Sequence, residues 1–438
     1  MAIALRDLAA CFEGVIPSIV ATAAPDGTPN ISYLSHVVLV DDVHIALSNQ
    51  FFSKTAANVR VNPNAAVLIV DPRDGTQYQL DTSYERSLDA GELFEEMAGQ
   101  LRASSAQIGM AQVMRLRSAD IYRVNGVHAI ASPSPAVMAA PAKAVPLTTI
   151  AGIAQRVSEA ADLGAVVDAI LSGFDHAMLL LKEGERLVTI GTRGYERSGI
   201  GSEVAIGEGV IGTAAAEQRP VRVSDLSRIR RFGSAVEASS NEENRTRTIP
   251  LPGMAEAMSQ IALPMVAQGK LKGVLFLESR DRLAFSKDDE TAFALLAAQA
   301  AAILTLSEGE AAEAQTPSPS AAALPSAGGR PFRVVHYSYD DSVFIDNEYV
   351  IKGVAGRLLM YLLRTHLREG RTDFTNREIR LANELRLPEI KDNLETRLLL
   401  LRRRLEEKVA PIRLVRTGRG RIRLDLARPP SLEEATAD

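Results

Sequence analysis

Hydrophobic and polar positions change their spacing twice along the chain, and these changes predict three folded units. Short apolar runs and turn residues alternate in the first third. The middle mixes strands with helices, and the last hundred residues run from strands into helices. The stretches 131–146 and 307–329 are rich in Ala, Pro and Ser and too poor in large apolar residues to build a core. We therefore expect units at 1–130, 147–306 and 330–428, two linkers, and a disordered tail at 429–438.

The pattern of the first unit predicts an antiparallel barrel. Apolar runs at 16–23, 31–40, 43–48 and 65–70 are separated by turn signals. The stretch 84–117 has helical spacing and is expected to cover the barrel. After the third run, a polar loop feeds a short helix that begins at Ser53, Lys54 and Thr55. Hydroxyls, an ammonium group and free backbone amides at a helix start suit an anionic phosphate.

These segments resemble the pyridoxamine 5'-phosphate oxidase-like split barrel. Pro25 to Pro29 matches its Asp-Gly-x-Pro turn, Ser32 to Val38 its second strand, and Lys54 to Pro63 its Lys-Thr-x-x-Asn-x-x-x-Asn-Pro helix. The resemblance implies a dimeric barrel with FMN at the subunit interface. It assigns phosphate contact or proximity to the flavin ring to seven residues: Ser53, Lys54 and Thr55 for the phosphate, and Ser35, His36, Ser48 and Gln50 for the ring.

The uncertain role of His36 leaves the identity of the cofactor open. A histidine in a strand is more often a hydrogen-bonded structural residue than a ligand. Some relatives of this barrel bind haem or deazaflavin, and neutral imidazole is a common metal ligand. FMN is the expected cofactor, while deazaflavin or a haem held by His36 or His128 are the alternatives.

The middle unit resembles a GAF domain. Gly207 to Thr213, Pro220 to Asp225 and Gly273 to Ser279 match the recurrent segments of that family. Its members bind cyclic nucleotides, tetrapyrroles, haem or small metabolites, or serve as dimerisers, and the fold alone does not choose among these. We expect a small-molecule effector of unknown identity. The polar segment Ser234 to Thr248, flanked by arginines, is either a lid over an anionic effector or a solvated loop.

The third unit predicts a helix, a turn, a basic helix and a β-hairpin. Apolar positions at helical spacing follow the possible caps Thr375 and Asn376, and Pro388 ends that helix. A second helix from about Lys391 carries a leucine stripe, and its arginines are expected to face solvent. Residues 412–416 and 421–426 alternate across Gly418-Arg419-Gly420 as a hairpin with a basic tip.

Winged-helix DNA binders use this arrangement, since a helix fits the major groove while a cationic hairpin tip reaches phosphate. The unit resembles the output domain of OmpR-type response regulators, with Phe332 to Ile351 as its leading sheet and Val354 to Leu367 as its first helix. Two leucines, Leu399 and Leu400, stand where that family usually offers polar groups to DNA, and Arg421 replaces an aromatic residue. Seven arginines are predicted to contact DNA: Arg397, Arg402, Arg403, Arg404, Arg416, Arg419 and Arg421. The alternative is a winged fold that contacts protein.

Charge is distributed unevenly. Residues 330–428 hold 22 Lys and Arg against 14 Asp and Glu, a net +8, which leaves −13 for the rest of a chain whose net charge is −5. This local basic charge favours nucleic-acid contact by the third unit alone. A single cysteine, Cys11, excludes disulfides and a thiolate metal cage within one chain. The N-terminus has no signal-peptide pattern, and no apolar stretch approaches the 18 or so residues of a membrane span. A cytoplasmic protein is expected.

Together these patterns predict a multidomain protein with a β split barrel, an α+β GAF domain and a C-terminal α/β winged helix-turn-helix. The expected function is a ligand- or redox-responsive transcription regulator, a homodimer that binds double-stranded DNA and a small-molecule effector, with no membrane partner. Ligands would act by favouring one dimer arrangement. The alternative is a flavin-dependent oxidoreductase with regulatory GAF and winged-helix domains.

Overall fold

The computed structural model describes residues 3–50, 53–106, 115–130, 145–226, 249–313, 330–385, 394–418 and 420–435. Within these ranges the side chains of residues 53, 103–106 and 307–313 are not described. The segment 234–248, predicted as a lid or loop, lies outside the described residues, as does Arg419.

The first unit is a curled antiparallel sheet of seven strands in the order β2-β1-β5-β6-β7-β4-β3. A 3-10 helix, Leu5–Phe12, precedes it and packs Leu5, Leu8 and Cys11 into its core. The elements are β1 Ser18–Ala23, β2 Pro29–Leu34, β3 Val37–Leu39, β4 His44–Asn49, α1 Ser53–Val61, β5 Asn64–Val70, β6 Gln77–Leu88, α2 Glu92–Ala106 and β7 Ser118–Ile130.

Two details of the predicted barrel are wrong. The run 31–40 was expected to be one strand, but it breaks between Leu34 and Val37, where the chain leaves one edge of the sheet and starts the other. Residues 84–88 were expected to be helical, but they extend β6 and pair with β7. The helix of this region begins only at Glu92. Cross-strand pairing therefore overrides the local helical spacing at the end of β6.

The middle unit is a six-stranded antiparallel sheet in the order β10-β9-β8-β13-β12-β11. Helices α3, α4 and α6 pack on one face around Phe293, while α5 packs on the other face. The elements are α3 Leu147–Glu159, α4 Leu163–Leu171, β8 Ala177–Glu183, β9 Arg186–Arg193, β10 Glu203–Ala205, α5 Gly209–Glu217, β11 Val221–Val223, β12 Ser259–Ala267, β13 Lys270–Ser279 and α6 Lys287–Glu313.

Helix α6 corrects the expectation about apolar stretches. Its segment Lys287–Leu306 is long and apolar enough, by length and composition, to cross a membrane. Half of its most apolar window is buried inside the protein, where Phe293, Leu296 and Ala300 form part of the core of the middle unit. A buried core helix of a globular domain passes the same test, so this is weak evidence for a span.

The third unit contains a four-stranded sheet, β16-β15-β14-β20, and a three-stranded sheet, β17-β19-β18. The predicted cap is present, because the Thr375 side chain accepts a hydrogen bond from the Glu378 amide at 3.3 Å. The elements are β14 Phe332–Tyr337, β15 Ser342–Ile345, β16 Glu348–Ile351, α7 Gly353–Glu369, β17 Asp373–Thr375, α8 Asn376–Leu381, a 3-10 turn Asn383–Leu385, α9 Leu394–Glu407, β18 Ile412–Gly418, β19 Arg421–Leu426 and β20 Pro430–Ala435.

The expectation of a disordered tail is wrong for residues 430–435. They form β20, which pairs in parallel with β14 from Phe332–Pro430 to Tyr337–Ala435. Arg333 on β14 donates to Glu433 on β20 at 2.6 Å. An acidic residue of the segment expected to be disordered therefore supplies an ion-pair partner for Arg333.

Candidate functional site

A cavity of about 900 Å³ lies where the barrel meets the middle unit. Its barrel side is formed by the residues that follow the first 3-10 helix, by the β2–β3 connection and by α2. Its other side is formed by residues 222–225 and by Lys287 at the start of α6. This volume falls in the range of pockets that bury a drug-sized ligand or a cofactor ring.

His36 stands at the wall of this cavity, in the break between β2 and β3. Its backbone N–H donates to Ser48 Oγ at 3.0 Å, and its Nδ1 is buried with no hydrogen-bond partner among the described residues. Burial lowers the pKa of the imidazole to about 4, so the ring is neutral near pH 7. A neutral imidazole offers one donor and one acceptor. His36 can therefore form a hydrogen bond to a bound molecule.

The backbone around His36 is shaped to fit the ring. Gly14 has φ +67°, and a Cβ there would stand 3.3 Å from His36 Cδ2. Tyr33 on β2 and Ser35 in the β2–β3 connection line the same cavity. A side chain at residue 14 would be strained by its backbone and crowded by the imidazole. Ser35 and His36, two of the residues expected near a flavin ring, therefore both line the cavity.

An ion-pair cluster bridges the barrel and the middle unit at the cavity wall. Arg222 Nη1 contacts Glu13 of the barrel, and its Nε donates to Glu290 at 3.0 Å. Lys287 lies 2.8 Å from Glu290 and 2.9 Å from Glu96 of α2. Burial opposes the charge on Arg222, but the two carboxylates outweigh it and raise the pKa of the guanidinium.

These bridging residues were missed by the sequence analysis. Glu13 and Arg222 are 209 positions apart. Arg222 lies within the GAF-like segment Pro220 to Asp225, but nothing in that segment indicates a partner in the barrel. They give the cavity an acidic balance: among its described lining residues the cations are Arg222 and Lys287, both paired with glutamates, against Glu13, Glu92, Glu96 and Asp225. The cavity wall therefore suits an uncharged, hydrogen-bonding ring better than a phosphate.

Ser48 and Gln50 are not among the described residues that line the cavity. Ser48 is buried, and its hydroxyl oxygen accepts a hydrogen bond from the His36 backbone N–H. Gln50 is also buried, and its Nε2 has no hydrogen-bond partner in the described part of the chain. An unpaired buried amide is costly unless a ligand or water satisfies it.

The predicted phosphate residues form a second group at the start of α1. Thr55 is buried, and its hydroxyl is bonded to Asn30 at 2.9 Å and to Ser32 at 3.1 Å. Lys54 is exposed, and Ser53 is the first residue of α1 with its side chain outside the described set. Asn30 and Ser32 alternate with Tyr33 along β2, so Thr55 meets the opposite face of that strand. Thr55 thus has a structural role already, whereas Lys54 is available to an anion.

The two histidines of the haem alternative occupy different places. His128 lies on β7 with its side chain 61% exposed and 2.9 Å from Asp81. It is not among the residues that line the cavity beside His36. In the described part of the chain, no group of three or more His, Cys, Asp or Glu side chains could hold a metal ion.

The arginines predicted to bind DNA are less exposed than expected. The side chains of Arg397, Arg403 and Arg404 are 13%, 11% and 4% exposed, so the expectation that they face solvent is wrong. Arg404 donates to the Val350 carbonyl at 2.9 Å and is part of the fold of the third unit. The reason is tertiary packing: α9 lies in a crevice between its own unit and the middle unit, so both of its faces are covered.

The remaining predicted DNA contacts lie near the same crevice. Arg402 and Arg421 line a small pocket with Asp162 and Leu163 of the middle unit. Arg416 on β18 is 3.3 Å from Asp162 and 3.6 Å from Glu395. The structure therefore gathers six of the seven predicted arginines around α9 and the hairpin, and it places several of them against carboxylates.

Family comparisons assign the first two units. The sequence matches the pyridoxamine 5'-phosphate oxidase family over residues 6–125 and the GAF domain family over residues 158–305. The chain therefore carries a pyridoxamine 5'-phosphate oxidase-like N-terminal domain followed by a GAF domain. Both matches end before the third unit. No curated protein matches the chain in sequence.

Solved structures with similar folds each cover one domain. An FMN-binding protein from Syntrophomonas wolfei subsp. wolfei is 14% identical, with 30% of this chain and 90% of that one covered and a TM-score of 0.25. The GAF domain of an Acinetobacter phosphoenolpyruvate-protein phosphotransferase is 19% identical, with 37% and 94% covered and a TM-score of 0.31. The fRMsr of Staphylococcus aureus in complex with substrate is 18% identical, with 36% and 95% covered and a TM-score of 0.28.

Proposed function

We propose that this chain is a cytoplasmic, ligand- or redox-responsive transcription regulator. The split barrel and the GAF domain would be its sensor inputs, and the C-terminal unit would be a winged-helix output that binds double-stranded DNA. The observation that carries the proposal is the central position of the GAF domain. It shares a cavity and ion pairs with the barrel on one side, and it contacts the arginine-bearing helix α9 on the other.

A flavin-type cofactor in the barrel is supported by its family and by the cavity. The neutral His36 ring and the Ser35 hydroxyl line the cavity and suit a ring with hydrogen-bonding edges. Lys54 at the start of α1 is an exposed cation that is available to a phosphate. When bound, such a cofactor would supply a redox change that the cavity wall can sense. FMN is our first choice, with deazaflavin and haem as alternatives.

A homodimer is supported by the exposed edge of the barrel. Ile31 and Tyr33 on the edge strand β2 are 68% and 75% exposed. Large apolar side chains on an unpaired edge strand commonly mark a contact with another chain. Two C-terminal units brought together in this way would read two linked DNA half-sites.

Two measurements test this proposal. The visible absorption spectrum of the freshly purified protein should contain flavin bands, whereas a Soret band would replace FMN by haem. The full chain should retain duplex DNA at low ionic strength and release it as salt rises. A colourless protein that ignores DNA at low salt would overturn the proposal. Catalytic turnover of NAD(P)H by the flavin-loaded protein would favour the oxidoreductase alternative instead.

A further inference from the structure

The outer face of α9 and the neighbouring hairpin dock on the GAF domain. Arg403 donates from Nη1 to the Ile190 carbonyl at 2.8 Å and from Nη2 to Asp168 at 2.6 Å. Arg397 lies 3.4 Å from Glu183 at the end of β8. Each of these arginines was selected from sequence as a phosphate contact, and each is engaged by a carbonyl or carboxylate of the GAF domain.

Apolar residues continue the same contact. Leu399 is 6% exposed and packs with the core between α4 and the GAF sheet rather than with its own unit. In return, Val188 and Ile200 of the GAF domain pack into the core of the C-terminal unit. Leu400 is equally buried. This packing explains the two leucines that depart from the OmpR-type pattern: they stand on a protein-contacting surface.

The GAF surface is shaped to receive the arginines. A Cβ at Gly191 on β9 would stand 2.5 Å from Arg403 Nη1, and a Cβ at Gly164 on α4 would stand 2.7 Å from Arg402 Nη2. Neither glycine has a positive φ, so a turn does not explain them. The same Cβ would stand 2.6 Å from Val167 Cγ1, so a larger residue at Gly191 would crowd both the Arg403 guanidinium and the packing of α4 on the sheet.

Docking of Arg403 on the GAF domain has a free-energy cost, and this cost makes undocking of α9 feasible. Burial lowers the pKa of Arg403, and the attraction of Asp168 does not offset it. A desolvated guanidinium with one largely exposed carboxylate partner is incompletely compensated. Phosphate would offer the same guanidinium a bidentate, doubly hydrogen-bonded partner.

We propose that the α9–hairpin face has two mutually exclusive partners, the α4–β9 surface of the GAF domain and the phosphate backbone of duplex DNA. The docked chain is the form with low DNA affinity, and undocking exposes the arginines. This inference rests on the proposed DNA-binding function. It adds that the GAF domain controls this function by direct competition, so that any ligand that favours the undocked form raises DNA affinity by the same factor.

The release test changes only the GAF side of the contact. In D168N/E183Q the partners of Arg403 and Arg397 lose their charge, and DNA affinity of the full chain should rise about threefold or more. The matched control is D175N/E185Q, which removes the same charge from exposed GAF positions and leaves the contact intact. An equal rise in both variants would reduce the effect to net charge and overturn the inference.

The locking test fixes the docked form. Lys352, just before α7, lies 3.6 Å from Glu203 on β10, and neither is a predicted DNA contact. K352C/E203C can be joined by a thiol-specific linker that a reductant cleaves. Cys11 should not react, because burial raises the pKa of its thiol to about 12. Linked protein should bind duplex DNA at least about tenfold more weakly than the same sample after cleavage, while singly substituted controls should not change.

The outcomes separate the two proposals. If linked and cleaved samples bind DNA equally, direct competition is wrong and the DNA-binding function stands. If the two cysteines react singly but do not become linked, the docked contact is absent in solution and the inference is overturned. If neither sample binds DNA at low salt, the proposed function fails and the competition fails with it.

Discussion

At the scale of single residues, His36 makes the clearest prediction. Its folded-state pKa of about 4 lies below the ordinary value of 6.5, so the unfolded chain binds a proton that the folded chain excludes. The contribution of neutral His36 to the free energy of unfolding is complete above about pH 6.5. It is lost as the pH falls toward 4, and the loss reaches about 3 kcal/mol at 1.36 kcal/mol per pKa unit. Denaturant unfolding of the full chain should show this loss, and H36N should flatten it. The control H128N, at an exposed histidine, should keep the wild-type slope. Equal slopes in all three proteins would contradict a buried neutral His36.

At the scale of elements, strand β20 leads to a prediction about stability, although the acidic composition of this segment suggested disorder. A chain truncated after Pro429 loses the parallel pairing with β14 and the Arg333–Glu433 ion pair. We expect the C-terminal unit to lose at least about 1 kcal/mol, which corresponds to a fall of roughly 5 °C in its unfolding midpoint. The unfolding midpoint can be measured by heating the protein and monitoring proteolytic cleavage within the C-terminal unit. Truncation after Ala435 is the matched control and should leave the midpoint unchanged. A wild-type midpoint after the longer truncation would show that β20 contributes nothing.

The elements also show how far the sequence could be interpreted. Period-two alternation and turn residues predicted the strands of the C-terminal hairpin, because this hairpin depends on local pairing. The break at His36 and the burial of Arg403 could not be predicted in this way. Each depends on residues from a distant part of the chain, Gly14 in one case and Asp168 in the other. The leucines at 399 and 400 were the one local sign of this contact, since they contradicted the family pattern.

At the scale of the whole molecule, Arg222 should hold the barrel to the GAF domain. The substitution R222Q would remove the cation that pairs with Glu13 and Glu290 at a buried site, where an unpaired charge is strongly unfavourable. Amide hydrogen exchange should therefore quicken in residues 5–15 and in β11 together. R86Q, which breaks an exposed pair with Glu85, is the control and should leave both segments protected. Unchanged exchange in R222Q would mean that the ion-pair cluster does not couple the two domains.

The central claim concerns DNA, and the salt dependence of binding by the full chain tests it most directly. A fluorescent duplex titrated at several salt concentrations should bind with a log–log slope of about −4 if Arg397, Arg403, Arg416 and Arg421 each meet a phosphate. The slope should be the same in D168N/E183Q, with the affinity shifted upward. Absence of binding at low salt in both proteins would contradict the account.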